Sequence, residues 1–385
     1  MGQPSRITRR AAALGAIGAA QIARSQTPAT YAGALAGFEN KVDAHAFDPV
    51  EWTLGLHDSA PLQLTFRART RAEAEAWQKQ LRAKIIALLG GFPHEPSPLR
   101  AQTLEVREFP SYTREKFVFE SRPRVGVLGY LLTPRGAKKP LPAVVCLPGH
   151  GRGADDIVGI DEHGNDRTDG PGYQRDFAIT VAQHGMAAVA IEPLAFGCRR
   201  DPVTKAKGLS AYACQPIAGS ALLLGQTMIG WRVYDVMRTL DWIETRAELD
   251  SRRVGCMGIS GGGTVTLFSA ALEPRIRAAF VSGYLNTFRA SIMSVSHCID
   301  NYVPGILNFA EMYDVAGLIA PRPFFAEGGD NDPIFPASAA QESFARVKKI
   351  YEIFGAADAI GQDTFSGVHE FHGARGIPFL ATALS

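Results

Sequence analysis

The sequence predicts an α/β fold with a mostly parallel, doubly wound sheet, antiparallel strands at its N-terminal edge and a helical lead-in ahead of it. Short, continuously apolar runs recur, each followed by glycine-rich sequence and then a helical pattern: Ala143–Leu147, Ala187–Ile191, Val254–Ile259, Ala278–Val281 and Pro323–Ala326. Strands without polar alternation are buried on both faces, and intervening helices indicate parallel crossovers. Before them, Glu105 to Thr133 alternates and is punctuated by Gly and Pro, which is typical of antiparallel strands.

The lead-in contains the clearest helix, predicted from Thr70 to Leu89. Thr70 and Glu73 have the spacing of a capping box, and Gly90 and Pro93 end the pattern. One face of this helix carries the apolar side chains of Trp77, Leu81, Ile85 and Leu88. Further helices are predicted to end at His184, to run from about Met228 to Arg246, and to run from about Ala337 to Phe354.

The chain is predicted to form one domain. Its 385 residues, 46% of them hydrophobic, can bury a large core. We assign residues 26–385 to this domain, with residues 26–100 as the helical lead-in and residues 101–385 as the catalytic core.

Composition argues against several classes of protein. Forty basic and thirty-eight acidic residues leave a net charge of +2, without a basic block interleaved with aromatics, so nucleic acid is not expected as a partner. The five cysteines form no C-x-x-C pair, which argues against structural zinc and a disulfide scaffold. A bridge is conceivable only between Cys198 and Cys214. No residue is assigned to a metal or cofactor, and the oligomeric state stays open.

Residues 1–25 have the pattern of an export signal peptide. Arg9 and Arg10 precede an apolar run from Ala11 to Ala20, and Ala23-Arg24-Ser25 offers a small-residue cleavage site. The run is too short to span a bilayer, so no stable membrane anchor is expected. The paired arginines resemble a twin-arginine signal, which predicts a periplasmic or secreted protein. A disordered Ala-rich tail is the alternative.

A candidate nucleophile lies in Gly258-Ile259-Ser260-Gly261-Gly262, between an apolar run and an Ala-rich helical stretch. Serine on a tight strand-to-helix turn is typical of a nucleophile elbow, where side chains at the glycine positions would collide with the neighbouring strand and helix. The helix N-terminus favours negative charge that develops beside the hydroxyl. We therefore predict Ser260 as the nucleophile; the alternative is a glycine-rich turn with a solvated serine.

Serine needs a general base, and the base needs an orienting carboxylate. Asp330 and Asp332 follow the run that ends at Ala326, although either could simply form the turn through an Asx hydrogen bond. His369 and His372 lie after the last apolar stretch. We predict His369 as the base because it lies in the first turn after that strand, but order along the chain does not separate it from His372.

A glycine-rich turn, Pro148-Gly149-His150-Gly151-Arg152-Gly153, follows the run that ends at Leu147. Such a turn after an inner strand can direct a backbone N–H at the nucleophile. With the N–H of Gly261, it would bind the oxygen of a tetrahedral intermediate.

Five segments together resemble the branch of the α/β-hydrolases that is similar to acetyl xylan esterases and dienelactone hydrolases: Leu147–Gly153, Glu192–Gly197, Gly258–Gly263, His297–Gly305 and Gly367–Gly373. In this superfamily the nucleophile, acid and base follow in that order. The resemblance favours Asp332 over Asp330 as the acid, His369 as the base and the N–H of Arg152 as the second oxyanion donor. Dienelactone hydrolases use cysteine, so Ser260 argues against dienelactone chemistry itself.

The resemblance implies a metal-independent hydrolase of carboxylic esters. We expect a short-acyl ester, acetyl above all, of a small molecule or carbohydrate. His150, His297 and Tyr302 are predicted to contact this substrate. A serine peptidase, an acyltransferase and a non-catalytic binding protein on the same fold are the alternatives.

Overall fold

A computed structural model describes residues 33–167, 169–208 and 213–385. The described chain divides into two units, with the boundary between Trp52 and Thr53. The predicted signal peptide, residues 1–25, lies outside the described residues. In the first unit a 3-10 helix, Ala44–Phe47, begins after Asp43, whose carboxylate accepts the His45 N–H. Helix α1, Pro49–Ser59, contains the boundary between the units.

The described part of the second unit contains a nine-stranded sheet. Its strands are β1 Gln102–Glu108, β2 Tyr112–Arg122, β3 Val125–Pro134, β4 Leu141–Leu147, β5 Ala187–Ile191, β6 Leu249–Ile259, β7 Ile276–Ser282, β8 Phe324–Gly329 and β9 Ile360–Phe365. They lie in the order β1-β2-β3-β5-β4-β6-β7-β8-β9. β1, β2 and β3 pair antiparallel, as does β3 with β5, and the remaining pairs are parallel. The predicted mostly parallel sheet with an antiparallel N-terminal edge is confirmed.

Helices precede the sheet, connect its parallel strands and follow the last strand. Those after α1 are α2 Arg71–Leu88, α3 Phe177–Gln183, α4 Pro202–Ala206, α5 Cys214–Leu223, α6 Met228–Glu244, α7 Gly261–Leu272, α8 Met312–Gly317, α9 Ala337–Ile353 and α10 Gly376–Ala383. The predicted capping box of α2 is present: the Thr70 hydroxyl accepts the Glu73 N–H, and the Glu73 carboxylate accepts the Thr70 N–H. None of the described helices combines the length and apolar character needed to cross a membrane.

The parallel strands are buried on both faces, which explains their continuous apolar runs. In β4, Val144 and Cys146 pack on the face covered by α3 and α10, whereas Ala143 and Val145 pack on the face covered by α2, α6 and α7. Because successive side chains point to opposite faces, each apolar run supplies both cores.

This topology decides where the candidate site residues lie. Ser260 directly follows β6, His150 follows β4, and Asp332 and His369 follow β8 and β9. The carboxyl ends of parallel strands meet at the same edge of a sheet, where α/β proteins bind their ligands. Residues separated by more than 200 positions are therefore neighbours.

Candidate active site

Ser260 occupies the turn between β6 and α7 with φ 55° and ψ −121°, a conformation that L-residues rarely adopt. Its N–H donates to the Ser282 carbonyl on β7, and its own carbonyl accepts the Thr264 N–H. A Cβ at Gly262 would overlap the Leu147 carbonyl oxygen of β4, so glycine there lets the helix approach the sheet. The structure places the predicted nucleophile on a strand-to-helix elbow.

Asp332 and His369 are hydrogen-bonded to one another. Nδ1 of His369 lies 2.7 Å from Oδ2 of Asp332, which is buried, and Oδ1 accepts the N–H groups of Ile334 and Phe335, each at 3.0 Å. Because an ionised carboxylate only accepts hydrogen bonds, Nδ1 carries the proton and Nε2 is left as an acceptor. Nε2 is buried and has no hydrogen-bond partner within the described ranges.

The structure separates the other two candidates, Asp330 and His372, from this pair. Oδ1 of Asp330 accepts the N–H of Gly367 at 3.0 Å. The His372 ring stacks on Phe365, and its Nδ1 lies 3.3 Å from Asp363. His372 lines a different cavity from Ser260, whereas His369 lines the same one.

The cavity at Ser260 has a volume of about 290 Å³ and a mixed polar and apolar lining. It is lined by His150, Tyr173, Ser260, Gly261, Ser296, His297, Cys298, Asn301, Ile334, Phe335 and His369. The arrangement brings a serine hydroxyl and an imidazole acceptor into one small cavity.

The two predicted oxyanion donors differ in their placement. Gly261 lines the cavity as the first residue of α7, where backbone N–H groups lack an acceptor within the helix. The Arg152 N–H donates to Oδ2 of Asp156 at 2.7 Å, and Arg152 is not among the residues that line the cavity. The prediction for Arg152 is therefore corrected, because a neighbouring carboxylate binds the N–H that was expected to face the substrate.

Two of the three predicted substrate contacts line the cavity. His150 lies with its Nδ1 close to Gly261, since a Cβ on that glycine would be 3.0 Å from this atom. Nε2 of His297 lies 2.8 Å from the Ser291 hydroxyl, and its ring packs on Phe335. Burial lowers the pKa of His297 and so favours its neutral form.

Tyr302 is placed elsewhere, which corrects the third prediction. Its hydroxyl donates to the Ile292 carbonyl at 3.1 Å, and its side chain is 42% exposed. It lines a neighbouring apolar cavity of about 300 Å³, formed with residues such as Leu56, Phe288 and Ile306. Asn301 lines both cavities.

Sequence reasoning missed Tyr173, which lines the cavity beside the base, and its neighbour Gln174, which binds the loop after β4. The Tyr173 ring stacks on His369 with centroids 5.8 Å apart, and its hydroxyl donates to the His150 carbonyl at 2.7 Å. The Gln174 amide oxygen accepts the Gly149 N–H at 2.8 Å. Both residues lie in the long connection between β4 and α3, which carries no motif that would reveal them.

Glu192, which follows β5, links two loops near the cavity. Its carboxylate accepts the N–H groups of Ala154 and Cys198, at 3.3 Å and 2.5 Å. Burial raises its pKa, and these two backbone donors oppose that shift. A Cβ on Gly153 or Gly197 would collide with this carboxylate, so both loops approach it closely.

A buried charged cluster lies behind His150. Nε2 of His150 lies 3.2 Å from Oδ2 of Asp300, and the same oxygen accepts a hydrogen bond from Nη1 of Arg232 at 2.5 Å. Burial opposes protonation of His150, but Asp300 and Cys214 raise its pKa to about 9. A hydrogen bond with Cys298 lowers the pKa of Cys214. All five cysteines are free, and Cys214 faces Cys298, whereas Cys198 lies beside Glu192.

Comparison with known proteins identifies the family. The model of the Abhydrolase family matches residues 53–366, which include Ser260 and Asp332. The chain belongs to the Abhydrolase family. The predictions of an α/β-hydrolase fold and of a hydrolase enzyme are confirmed at this level.

Two further likenesses extend over most of this Abhydrolase-family chain. It is 26% identical over 284 residues to the protein described as "Putative hydrolase YtaP" of Bacillus subtilis (strain 168), covering 72% of this chain and 89% of that one. A crystal structure described as a "putative acetyl xylan esterase" from Bacteroides fragilis NCTC 9343 has a TM-score of 0.70 at 22% identity, covering 83% of this chain and 82% of that one.

A glucuronoyl esterase from Solibacter usitatus is also similar in structure. Its TM-score is 0.61 at 14% identity, covering 85% of this chain and 99% of that one. At these identities the two solved structures establish the shared fold.

Proposed function

We propose that this protein is a serine hydrolase of carboxylic esters, with Ser260 as nucleophile, His369 as general base and Asp332 as the orienting acid. One observation carries the proposal. The His369 imidazole is held through Nδ1 by a buried carboxylate, while its unpartnered Nε2 belongs to a ring that lines the same cavity as the elbow serine.

The chemistry follows from these positions. Nε2 of His369 takes the Ser260 proton as Oγ attacks the ester carbonyl carbon, and Asp332 stabilises the imidazolium that forms. The imidazolium then donates that proton to the departing alcohol oxygen, and the C–O bond breaks to leave an acyl-serine. Water, activated by the same imidazole, attacks the acyl carbon; the released Ser260 oxygen regains a proton, and the carboxylic acid leaves.

Negative charge develops on the carbonyl oxygen in both tetrahedral intermediates. The N–H of Gly261 and the positive end of α7 lie beside Ser260 and favour this charge. Because Asp156 binds the Arg152 N–H and Gln174 binds the Gly149 N–H, neither of these two groups serves as the second donor.

We propose short-acyl esters of carbohydrates, acetyl above all, as the substrate class. A cavity of about 290 Å³ is small, and the imidazoles, hydroxyls and amide in its lining suit a polyhydroxylated alcohol. The similar solved structure described as a "putative acetyl xylan esterase" supports the acetyl group, and the one described as a glucuronoyl esterase supports a carbohydrate ester but not a short acyl group.

The test is covalent labelling with a fluorophosphonate probe, followed by hydrolysis of 4-nitrophenyl acetate. The wild-type enzyme should be labelled once per chain at Ser260, and Ser260→Ala should lose both labelling and hydrolysis. Ser296→Ala is the matched control, because Ser296 lines the same cavity and should keep both. Labelling of Ser260→Ala at the wild-type rate would overturn the proposal.

The assay also separates the alternatives. A hydrolase releases acetic acid from acetylated xylo-oligosaccharides at the rate at which the ester disappears. Transfer of the acetyl group to an added alcohol without release of acetic acid would instead indicate an acyltransferase, and cleavage of a peptide substrate but no ester would indicate a peptidase.

A further inference from the structure

The charged cluster behind the cavity contains four side chains that are typical metal ligands: His150, Cys214, Cys298 and Asp300. They come from the loop after β4, the first turn of α5 and the long segment after β7. Cys214 and Asp300 are buried, while His150 and Cys298 also line the cavity at Ser260. One ligand atom from each lies within 4.8 Å of every other.

The three distances that join His150, Cys214 and Asp300 are close to the edges of a tetrahedral zinc site. Nε2 of His150 lies 3.2 Å from Oδ2 of Asp300 and 3.6 Å from Sγ of Cys214, and these last two atoms are 3.5 Å apart. Zinc bonds of about 2.0 Å to nitrogen and oxygen and about 2.3 Å to sulfur give tetrahedral edges of about 3.3–3.8 Å. A small ion at the centre would therefore need little movement of these three side chains.

The charges of the zinc-bound state also match a divalent ion. Because a metal displaces the protons of its ligands, His150 is then neutral, both thiols are ionised, and Cys214, Cys298 and Asp300 carry three negative charges. The buried guanidinium of Arg232, which donates to Oδ2 of Asp300 at 2.5 Å and to Sγ of Cys214 at 3.4 Å, supplies one positive charge. A divalent cation supplies the other two, so the buried site becomes neutral.

Arg232 is compatible with metal binding. Carboxylate and thiolate atoms keep lone pairs after accepting one hydrogen bond. Groups that hydrogen-bond metal ligands from outside the coordination sphere orient those ligands. Arg232, which donates hydrogen bonds to Asp300 and Cys214, is placed to orient these two ligands in this way.

We propose that His150, Cys214, Cys298 and Asp300 bind one Zn²⁺ ion in a closed tetrahedral site. Two thiolates with imidazole and carboxylate form a ligand set that selects zinc over magnesium or calcium. With four protein ligands the ion has no open position for substrate, so its role is structural. It fastens the start of α5 and the segment around Cys298 to the loop that carries His150, which forms the wall beside Gly261.

The experiment measures zinc binding directly. Full-length chain purified with a thiol reductant is stripped with a chelator, titrated with Zn²⁺ and analysed by calorimetry and by metal content after gel filtration. We expect one zinc per chain with Kd below about 1 μM. Cys298→Ser should weaken binding at least about tenfold, whereas Cys198→Ser, which removes a thiol outside the cluster, should bind as the wild type does.

Two further measurements keep the proposal testable if Cys298→Ser does not fold. Co²⁺ bound to the stripped wild type should give the intense visible absorption of a tetrahedral ion and a thiolate-to-cobalt charge-transfer band. Ser260→Ala, which removes no ligand, should bind zinc as the wild type does, so this result is independent of the proposed esterase activity.

Three outcomes would overturn the proposal. They are less than stoichiometric zinc on the wild type, the weak visible spectrum of octahedral Co²⁺, and a Cys214–Cys298 disulfide found by mass spectrometry in the purified chain without reductant.

Discussion

The ring of Phe335 stacks on the imidazole of His369, with centroids 5.6 Å apart and planes inclined by 24°. The N–H of Phe335 donates at 3.0 Å to Oδ1 of Asp332, whose other oxygen binds His369. One residue therefore orients both the proposed acid and the proposed base, and Tyr173 packs on His369 as well. A positioned imidazole of this kind acts with its partners as a unit.

The first prediction concerns the two histidines after β9. His369→Ala should lower kcat on 4-nitrophenyl acetate at least about 10³-fold, because it removes the proposed proton acceptor. His372→Ala should stay within about tenfold, since that ring stacks on Phe365 and lines another cavity. Circular dichroism verifies folding. A folded His369→Ala enzyme with most of its activity would refute the triad.

The second prediction concerns the elbow glycine. Gly262→Ala should reduce the free energy of unfolding by about 3 kcal/mol or more, because the new Cβ meets backbone of β4 rather than a movable side chain. Gly328→Ala is the control, since a Cβ there meets nothing within 4 Å; it should change stability by less than about 1 kcal/mol. Urea unfolding followed by circular dichroism measures both. If Gly262→Ala were as stable as Gly328→Ala, helix α7 would have room to move away from β4.

The parallel strands show what could be predicted from the residues alone. Ala187–Ile191 has the same bounds in the sequence interpretation and in the structure, because a strand buried on both faces is apolar at every position. β6 begins at Leu249, five residues before the apolar run. The apolar pattern misses this first part of the strand because it carries polar residues such as Asp250 and Arg252. Apolar pattern therefore locates the buried centre of each strand better than its ends.

The site was less accessible to sequence reasoning where it depends on distant residues. The glycines adjacent to Ser260 predict its elbow from neighbouring residues alone. The direction of the Arg152 N–H, in contrast, depends on where the Asp156 carboxylate lies. The cluster of His150, Cys214 and Asp300 joins residues 64 and 86 positions apart. The cysteine spacing argued against structural zinc. Spacing along the chain detects only ligands that share a local motif, so it could not reveal a cluster assembled from distant segments.

The third prediction concerns two residues that were both expected to contact substrate. His297→Ala should raise KM for acetylated xylo-oligosaccharides up to about tenfold, as expected for loss of one hydrogen-bonding group in the cavity. Tyr302→Phe should leave KM within about twofold, because its hydroxyl is engaged by the Ile292 carbonyl outside that cavity. Steady-state kinetics on one substrate compares them. A larger effect for Tyr302→Phe would mean that substrate extends into the apolar cavity.

The fourth prediction concerns acyl length. Acetyl esters should have a higher kcat/KM than octanoyl esters of the same alcohol, because imidazoles, hydroxyls and an amide line much of the cavity at Ser260 and offer little apolar surface to a long acyl chain. A series of 4-nitrophenyl esters from acetyl to octanoyl measures this. Faster turnover of octanoyl than of acetyl esters would contradict the proposed substrate class.

The fifth prediction concerns the N-terminus. We propose that the chain is exported and that residues before about Gln26 are removed, because Arg9 and Arg10 precede a short apolar run and a small-residue site. N-terminal sequencing of the protein from its native host should begin near that residue, and Arg9→Lys with Arg10→Lys should retain the precursor. A cytoplasmic chain that begins at Met1 would contradict export.

Glu192 has a consequence for the stability of the two loops near the cavity. Its carboxylate holds the loop after β4 through Ala154 and the loop after β5 through Cys198, and Phe196 of the second loop packs on His150 of the first. Neither loop can swing outward alone without leaving a buried carboxylate oxygen unpaired. The buried carboxylate therefore favours the arrangement in which both loops stay against it, and each loop keeps its own hydrogen bond to a different oxygen.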